Sequence, residues 1–202
     1  MARALLDAGT VTLSPDHPIT LKSGLRSPVY VDNRQLISRP APWRVVIEAL
    51  AAELPQVDDL VIAGVESAGI PHSSALAFTA ARPSVFVRKE AKGHGLGRRV
   101  EGGDVAGCSV VLVEDMVTTG SSSLSAVEAL REAGAEVSDC LAIITYGFAE
   151  AREAFAAARC RLVTLTSFDT VVDEALASRI IDERAANLVR RWLADPHAWD
   201  PA

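Results

Sequence analysis

The spacing of apolar residues changes along this chain, and the changes divide it. Residues 2–9 predict a short helix closed by Gly9. Val11-Thr12-Leu13, Ile19-Thr20-Leu21 and Val29-Tyr30-Val31 then read as short strands between proline and glycine turns. From Pro42 the period lengthens. Trp43, Val46, Ile47, Leu50, Ala51 and Leu54 recur at helical spacing, predicting an amphipathic helix whose stripe faces a sheet. Beyond it, largely apolar runs at 60–63, 85–87, 110–113, 137–146 and 161–165 read as strands. They alternate with helical segments at 72–80, 124–133, 150–158 and 168–176. A last helix carries Ile181, Ala185, Leu188, Val189 and Trp192 as one stripe.

Strands apolar on both faces must be covered on both faces. The pattern therefore predicts an α/β fold, a doubly wound, mostly parallel central sheet with helices on either side, behind a small N-terminal β-rich hood. Its 202 residues suit one domain, with residues 1–40 as hood, 41–175 as core and 176–202 as a C-terminal helical segment.

Charge narrows the function. With 26 acidic against 20 basic residues the chain as a whole should repel nucleic acid, so anion binding requires a local basic cluster. Residues 88–103 supply one. Arg88, Lys89, Lys92, Arg98 and Arg99 stand among five glycines with His94, directly after a predicted core strand, which suggests a basic lid without regular structure. Cys108, Cys140 and Cys160 lack C-x-x-C spacing and read as reduced thiols. With neither a signal peptide nor an apolar run long enough to span a bilayer, a cytoplasmic location is expected. His17, His72 and His197 read as surface or packing residues.

The most informative stretch runs Val110-Val111-Leu112-Val113-Glu114-Asp115-Met116-Val117-Thr118-Thr119-Gly120-Ser121-Ser122. A buried strand ends in two acids and a hydroxyl-rich turn that opens a helix. Unsatisfied N–H groups and the helix dipole favour an anion there, and the acids could accept hydrogen bonds from vicinal hydroxyls or orient a hydrated metal. A ligand-free helix cap needs one hydroxyl. Four of them beside two carboxylates suggest a sugar phosphate. The Walker A and dinucleotide-binding glycine patterns are absent. The loop at 64–69 has a glycine at each end, which would let its backbone approach a ligand closely.

Residues 110–122 resemble the phosphoribosyl diphosphate (PRPP) motif of type I phosphoribosyltransferases. Lys22-Ser23-Gly24 with Arg26-Ser27-Pro28 is similar to the hood, and Arg88-Lys89 with Lys92-Gly93-His94-Gly95 to the catalytic loop, of the orotate phosphoribosyltransferase family. The resemblance implies Mg2+-dependent displacement of diphosphate from PRPP by a ring nitrogen of orotate, giving orotidine 5′-monophosphate in pyrimidine synthesis. It implies Arg88, Lys89, Lys92 and His94 as catalytic residues. It also implies that Glu114, Asp115, Met116, Val117, Thr118, Thr119, Gly120, Ser121 and Ser122 bind PRPP, and that Thr118 and Lys22, with Arg34, bind orotate. Mg2+ would be held mainly by PRPP, with Asp115 reaching it through water. A homodimer sharing its lids, with no nucleic-acid or membrane partner, is implied too.

Two positions depart from the pattern of many relatives. Ala68 stands where many have lysine, and the segment Ile144-Thr145-Tyr146-Gly147-Phe148 lacks an arginine for the orotate carboxylate, which leaves Arg26 or Arg34 as its partner. Transfer to a purine or another base, and a non-catalytic PRPP sensor, are the rival readings. The hood and lid motifs count against the first, and the absence of a broad basic face counts against the second.

Overall fold

The computed structural model describes residues 1–20, 26–90, 98–196 and 198–199. Helix α1 (Ala2–Asp7) leads into β1 (Val11–Leu13), β2 (Ile19–Thr20), β3 (Arg26–Ser27) and β4 (Val29–Val31). These four strands form two small antiparallel pairs, β1 with β4 and β2 with β3, which are the expected hood. A 3-10 helix (Asn33–Ser38) follows, which the apolar pattern gave no reason to expect, and then α2 (Pro40–Ala52), whose prolines occupy its unbonded first turn.

The core comprises β5 (Val61–Val65), α3 (Gly69–Thr79), β6 (Ser84–Val87), β7 (Val100–Glu101), β8 (Ser109–Val117), α4 (Ser121–Glu132), β9 (Glu136–Thr145), α5 (Ala149–Ala157), β10 (Arg161–Ser167) and α6 (Phe168–Ala177), with α7 (Glu183–Ala194) last. One six-stranded sheet has the order β10-β9-β8-β5-β6-β7, parallel throughout except for β7. The central runs 61–65 of β5, 110–113 of β8 and 140–144 of β9 carry no polar side chain because both faces of the sheet are covered. Ile62, Val111, Val113, Leu141 and Ile143 point to the side of α2, α3, α6 and α7, while Val61, Ala63, Val110, Leu112 and Ala142 point to α4 and α5. Each Val, Leu or Ile among them contributes about 1.5–3 kcal/mol of burial.

The basic run needs a correction. Val100 and Glu101 form an antiparallel edge strand on Val87 and Phe86, so the run resumes regular structure before its end. Residues 91–97 of the run lie outside the described residues. Helices α6 and α7 begin at capping side chains, Ser167 accepting from the Thr170 N–H and Asp182 from the Ala185 N–H. Among the described residues no helix is long and apolar enough to cross a membrane. Cys140 and Cys160 are buried free thiols, and Cys108 is half-buried.

Candidate active site

Strands β5 and β8 are neighbours, yet the helices that follow them lie on opposite faces of the sheet. The loops leaving their carboxyl ends diverge, and the crevice between such loops is where open α/β sheets bind ligands. Glu66 to Ala68 line one side of this crevice and Thr118 to Gly120 the other.

At the end of β8 the Glu114 side chain is buried and Asp115 half-buried. The Asp115 N–H donates to Glu114 Oε1 at 3.1 Å, and Ser123 Oγ lies 3.4 Å from Glu114 Oε2. Burial, reinforced by the charge of Asp115, pushes the Glu114 carboxyl well above the usual carboxylate range. Burial also raises Asp115, against the pull of Arg34. The charge of Arg34 offsets the burial of the pair only in part. A hydroxyl donor or a cation placed in the crevice would relieve it.

The turn that follows is exposed at Thr118, Ser121 and Ser122, and Gly120 adopts a left-handed conformation (φ 84°) that starts α4. The first N–H groups of α4 cannot bond within the helix, and the hydroxyls gather at the same end, Thr119 Oγ1 lying 3.4 Å from Ser121 Oγ. Met116 and Val117 differ from the rest of the motif. Their side chains pack into the two cores, so they offer a ligand only their main chain.

The stems of the basic segment are fixed. The Arg88 N–H donates to the Arg99 carbonyl at 2.9 Å, and Arg99 Nε returns a bond of 2.9 Å to the Arg88 carbonyl. Arg99 also donates to the carbonyl and hydroxyl of Ser125 on α4, so this cation serves as an anchor. Arg88 pairs with Glu101 at 3.9 Å, while its buried Nε has no partner. The Lys89 N–H donates to Glu66 Oε2 at 2.9 Å, bringing the stem against the β5 loop. Lys92, His94 and Lys22 lie outside the described residues.

The hood meets the crevice at Arg34. Its Nε bonds Asp32 at 2.6 Å, and its charge also acts on Asp115. Beside it, buried Asn33 donates from Nδ2 to the Asp115 carbonyl at 2.9 Å. Arg26 is held from behind, its carbonyl accepting from Trp192 Nε1 of α7 at 2.9 Å. Neither Asn33 nor Trp192 carries a sequence signal for this, since both contacts span more than 80 positions.

The two loop glycines serve packing. A Cβ on Gly64 would meet Ser73 Oγ at 2.2 Å, and one on Gly69 the Val113 carbonyl at 2.5 Å. They let α3 lie close on β5 and β8. His72 is wholly buried on α3, its Nδ1 accepting from Trp43 Nε1 at 3.0 Å, and burial lowers its pKa to about 4.

A family model described as the phosphoribosyl transferase domain matches residues 43–179, more than half of the chain, and fold and crevice together define a protein of that class. The chain is 40% identical over 98% of its length to an orotate phosphoribosyltransferase of Enterococcus faecalis, covering 96% of that relative, and 40% identical to one of Bacillus caldolyticus, covering 97%. It is similar to the crystal structure of orotate phosphoribosyltransferase from Aeropyrum pernix, with a TM-score of 0.74 and 33% identity over 86% of this chain and 96% of that one. The chain belongs to the orotate phosphoribosyltransferase family.

Proposed function

We propose that one site, on a single domain spanning the whole chain, transfers the 5-phosphoribosyl group of PRPP to orotate, forming orotidine 5′-monophosphate and diphosphate in pyrimidine synthesis. The observation that carries this reading is the buried acidic pair Glu114–Asp115 set directly before the hydroxyl-rich N-terminus of α4. In the reaction the C1′–O bond to diphosphate breaks, the bond electrons leave with the diphosphate, and a ring nitrogen of orotate supplies the pair for the new C1′–N bond. The ribose gains positive character as the leaving group gains negative charge.

The chain's residues divide this work. The first N–H groups of α4 and the hydroxyls of Thr118, Thr119, Ser121 and Ser122 hold the 5′-phosphate, with Gly120 shaping the turn and Met116 and Val117 contributing main chain. Glu114 and Asp115 accept from the ribose hydroxyls, which supplies the donors that their burial calls for. Arg88, Lys89, Lys92 and His94 stabilise the departing diphosphate. Thr118 with Lys22 and Arg34 faces orotate, and Arg34 or Arg26 meets its carboxylate.

Phosphoribosyl transfer from a diphosphate ester is metal-dependent, and Mg2+ is the ion proposed here. Among the described residues no cluster of three or more His, Cys, Asp or Glu could hold a metal, while the acidic pair suits an ion carried mainly by substrate phosphates, with Asp115 reaching it through water. When bound, Mg2+ neutralises charge on the diphosphate. The chain acts as a cytoplasmic homodimer in which each lid serves the partner's site.

The test follows orotate absorbance with PRPP and Mg2+. Loss of absorbance that requires both, and that falls at least about 100-fold in Lys92→Ala, is expected. Orotate left untouched while PRPP still binds would refute the assignment of the base and turn the search to purines.

A further inference from the structure

Ladder pairing between β5 and β8 ends at Gly64 and Val113, whereas β8 runs on beside β9 to Val117. The acidic end of β8 therefore projects past its β5 neighbour, and the 3-10 helix packs against β8. From that helix a single amide, Asn33 Nδ2, reaches the Asp115 carbonyl, 82 positions away in sequence. The next residue, Arg34, sets its charge on the Asp115 carboxylate and is itself steadied by Asp32. One dipeptide thus holds the main chain of Asp115 and faces its side chain.

Asn33 is poorly explained as a stabilising residue. It is wholly buried, yet its Oδ1 has no hydrogen-bond partner among the described residues. An orphaned buried acceptor costs stability, and an apolar side chain of similar shape would avoid that cost. The polar residue is spent on a bond to Asp115.

We propose that Asn33 is a positioning residue for PRPP: it fixes the carbonyl of Asp115 so that the acidic pair, with Arg34 alongside, is already oriented for the ribose before substrate arrives. The inference rests on reading Glu114 and Asp115 as the ribose-binding pair. Losing the amide would let the end of β8 turn without disturbing the lid, so substrate capture suffers and the chemical step does not.

The test uses Asn33→Leu and Asn33→Asp, which keep the size and lose the donor, with Asp115→Asn as reference. Expected for both Asn33 variants is a rise of about 10-fold or more in KM for PRPP, with kcat at saturating PRPP within about two-fold of the parent and KM for orotate little changed. The melting temperature of Asn33→Leu should stay within a few degrees of the parent, since relief of the orphaned Oδ1 offsets the loss of the donor to the Asp115 carbonyl. Unchanged KM for PRPP in Asn33→Leu, with a raised value in Asp115→Asn, overturns the positioning role and leaves the acidic-pair reading standing. Unchanged KM in Asp115→Asn refutes that reading itself. If kcat and both KM values deteriorate together with melting temperature, Asn33 is merely structural and the proposal falls. Should Asn33→Leu fail to fold, Asn33→Ser, whose hydroxyl is too short to span the contact, is read in the same way.

Discussion

The two sides of the crevice are built differently. The phosphate side is one continuous segment, 114–122, in which strand, acids, turn and helix start follow one another without a gap. The hood side is assembled from distant pieces. Arg34 and Asn33 come from the start of the chain, the aromatic group of Tyr146, Phe148 and Phe168 from the end of β9 and start of α6, and Trp192 and Arg184 from α7. Arg184 pairs with Asp16 ahead of β2 while Trp192 holds Arg26 on β3, so α7 grips both arms of that hairpin. A local motif is open to damage chiefly from within, and from outside through its contact with Asn33. The assembled side is open to damage from any of its contributors.

Three substitutions test that contrast. The largest effect should come from the scaffold beneath both sides. His72 is buried and neutral, with its pKa lowered to about 4 from 6.5. Its folded form binds fewer protons than the unfolded chain between these values, so the stability it confers is present above pH 6.5 and lost as pH falls through 4. That amounts to about 3 kcal/mol in unfolding experiments across this range. His72→Gln should flatten the slope, and an unaltered slope would assign the pH dependence elsewhere.

On the local side, Gly120→Ala forces a Cβ at positive φ to within 2.7 Å of the buried Phe155 ring. A loss of about 2 kcal/mol, or roughly 4–8 °C in melting temperature, is expected, together with a weaker KM for PRPP and an unaffected KM for orotate. Damage to orotate binding alone would reverse the assignment of the two sides.

On the assembled side, Trp192→Phe keeps the ring in contact with Tyr146 but removes the donor to the Arg26 carbonyl. A cost of about 1 kcal/mol and a rise of a few fold in KM for orotate are expected, with KM for PRPP unchanged. Equal change in both constants would show that the hood does not act on the base side separately.

Much of this was legible in the chain itself. The apolar pattern was enough for β5, β8 and β9, because the middle of a strand covered on both faces must be an unbroken apolar run, and for α2, whose buried Val46, Ile47 and Leu50 fall on one stripe. It failed for the 3-10 helix, which buries only Asn33 and Leu36, and for β7, a two-residue edge strand inside a glycine-rich basic run. Neither is long enough to show a period. The basic run also concealed that one of its cations, Arg99, is spent on Ser125 and the stem.

By itself the sequence determined the α/β architecture and the strand–turn–helix proposed to hold the phosphate, because hydrophobic period and a contiguous strand–turn–helix are local properties. Only the tertiary structure decided that Gly64 and Gly69 exist for close packing of α3, that the Asp115 carbonyl is held by Asn33, and that the last helix anchors the hood. Those contacts join residues 9 to 166 positions apart, and a hydrogen bond or a steric limit between such residues leaves no mark on the spacing of either segment.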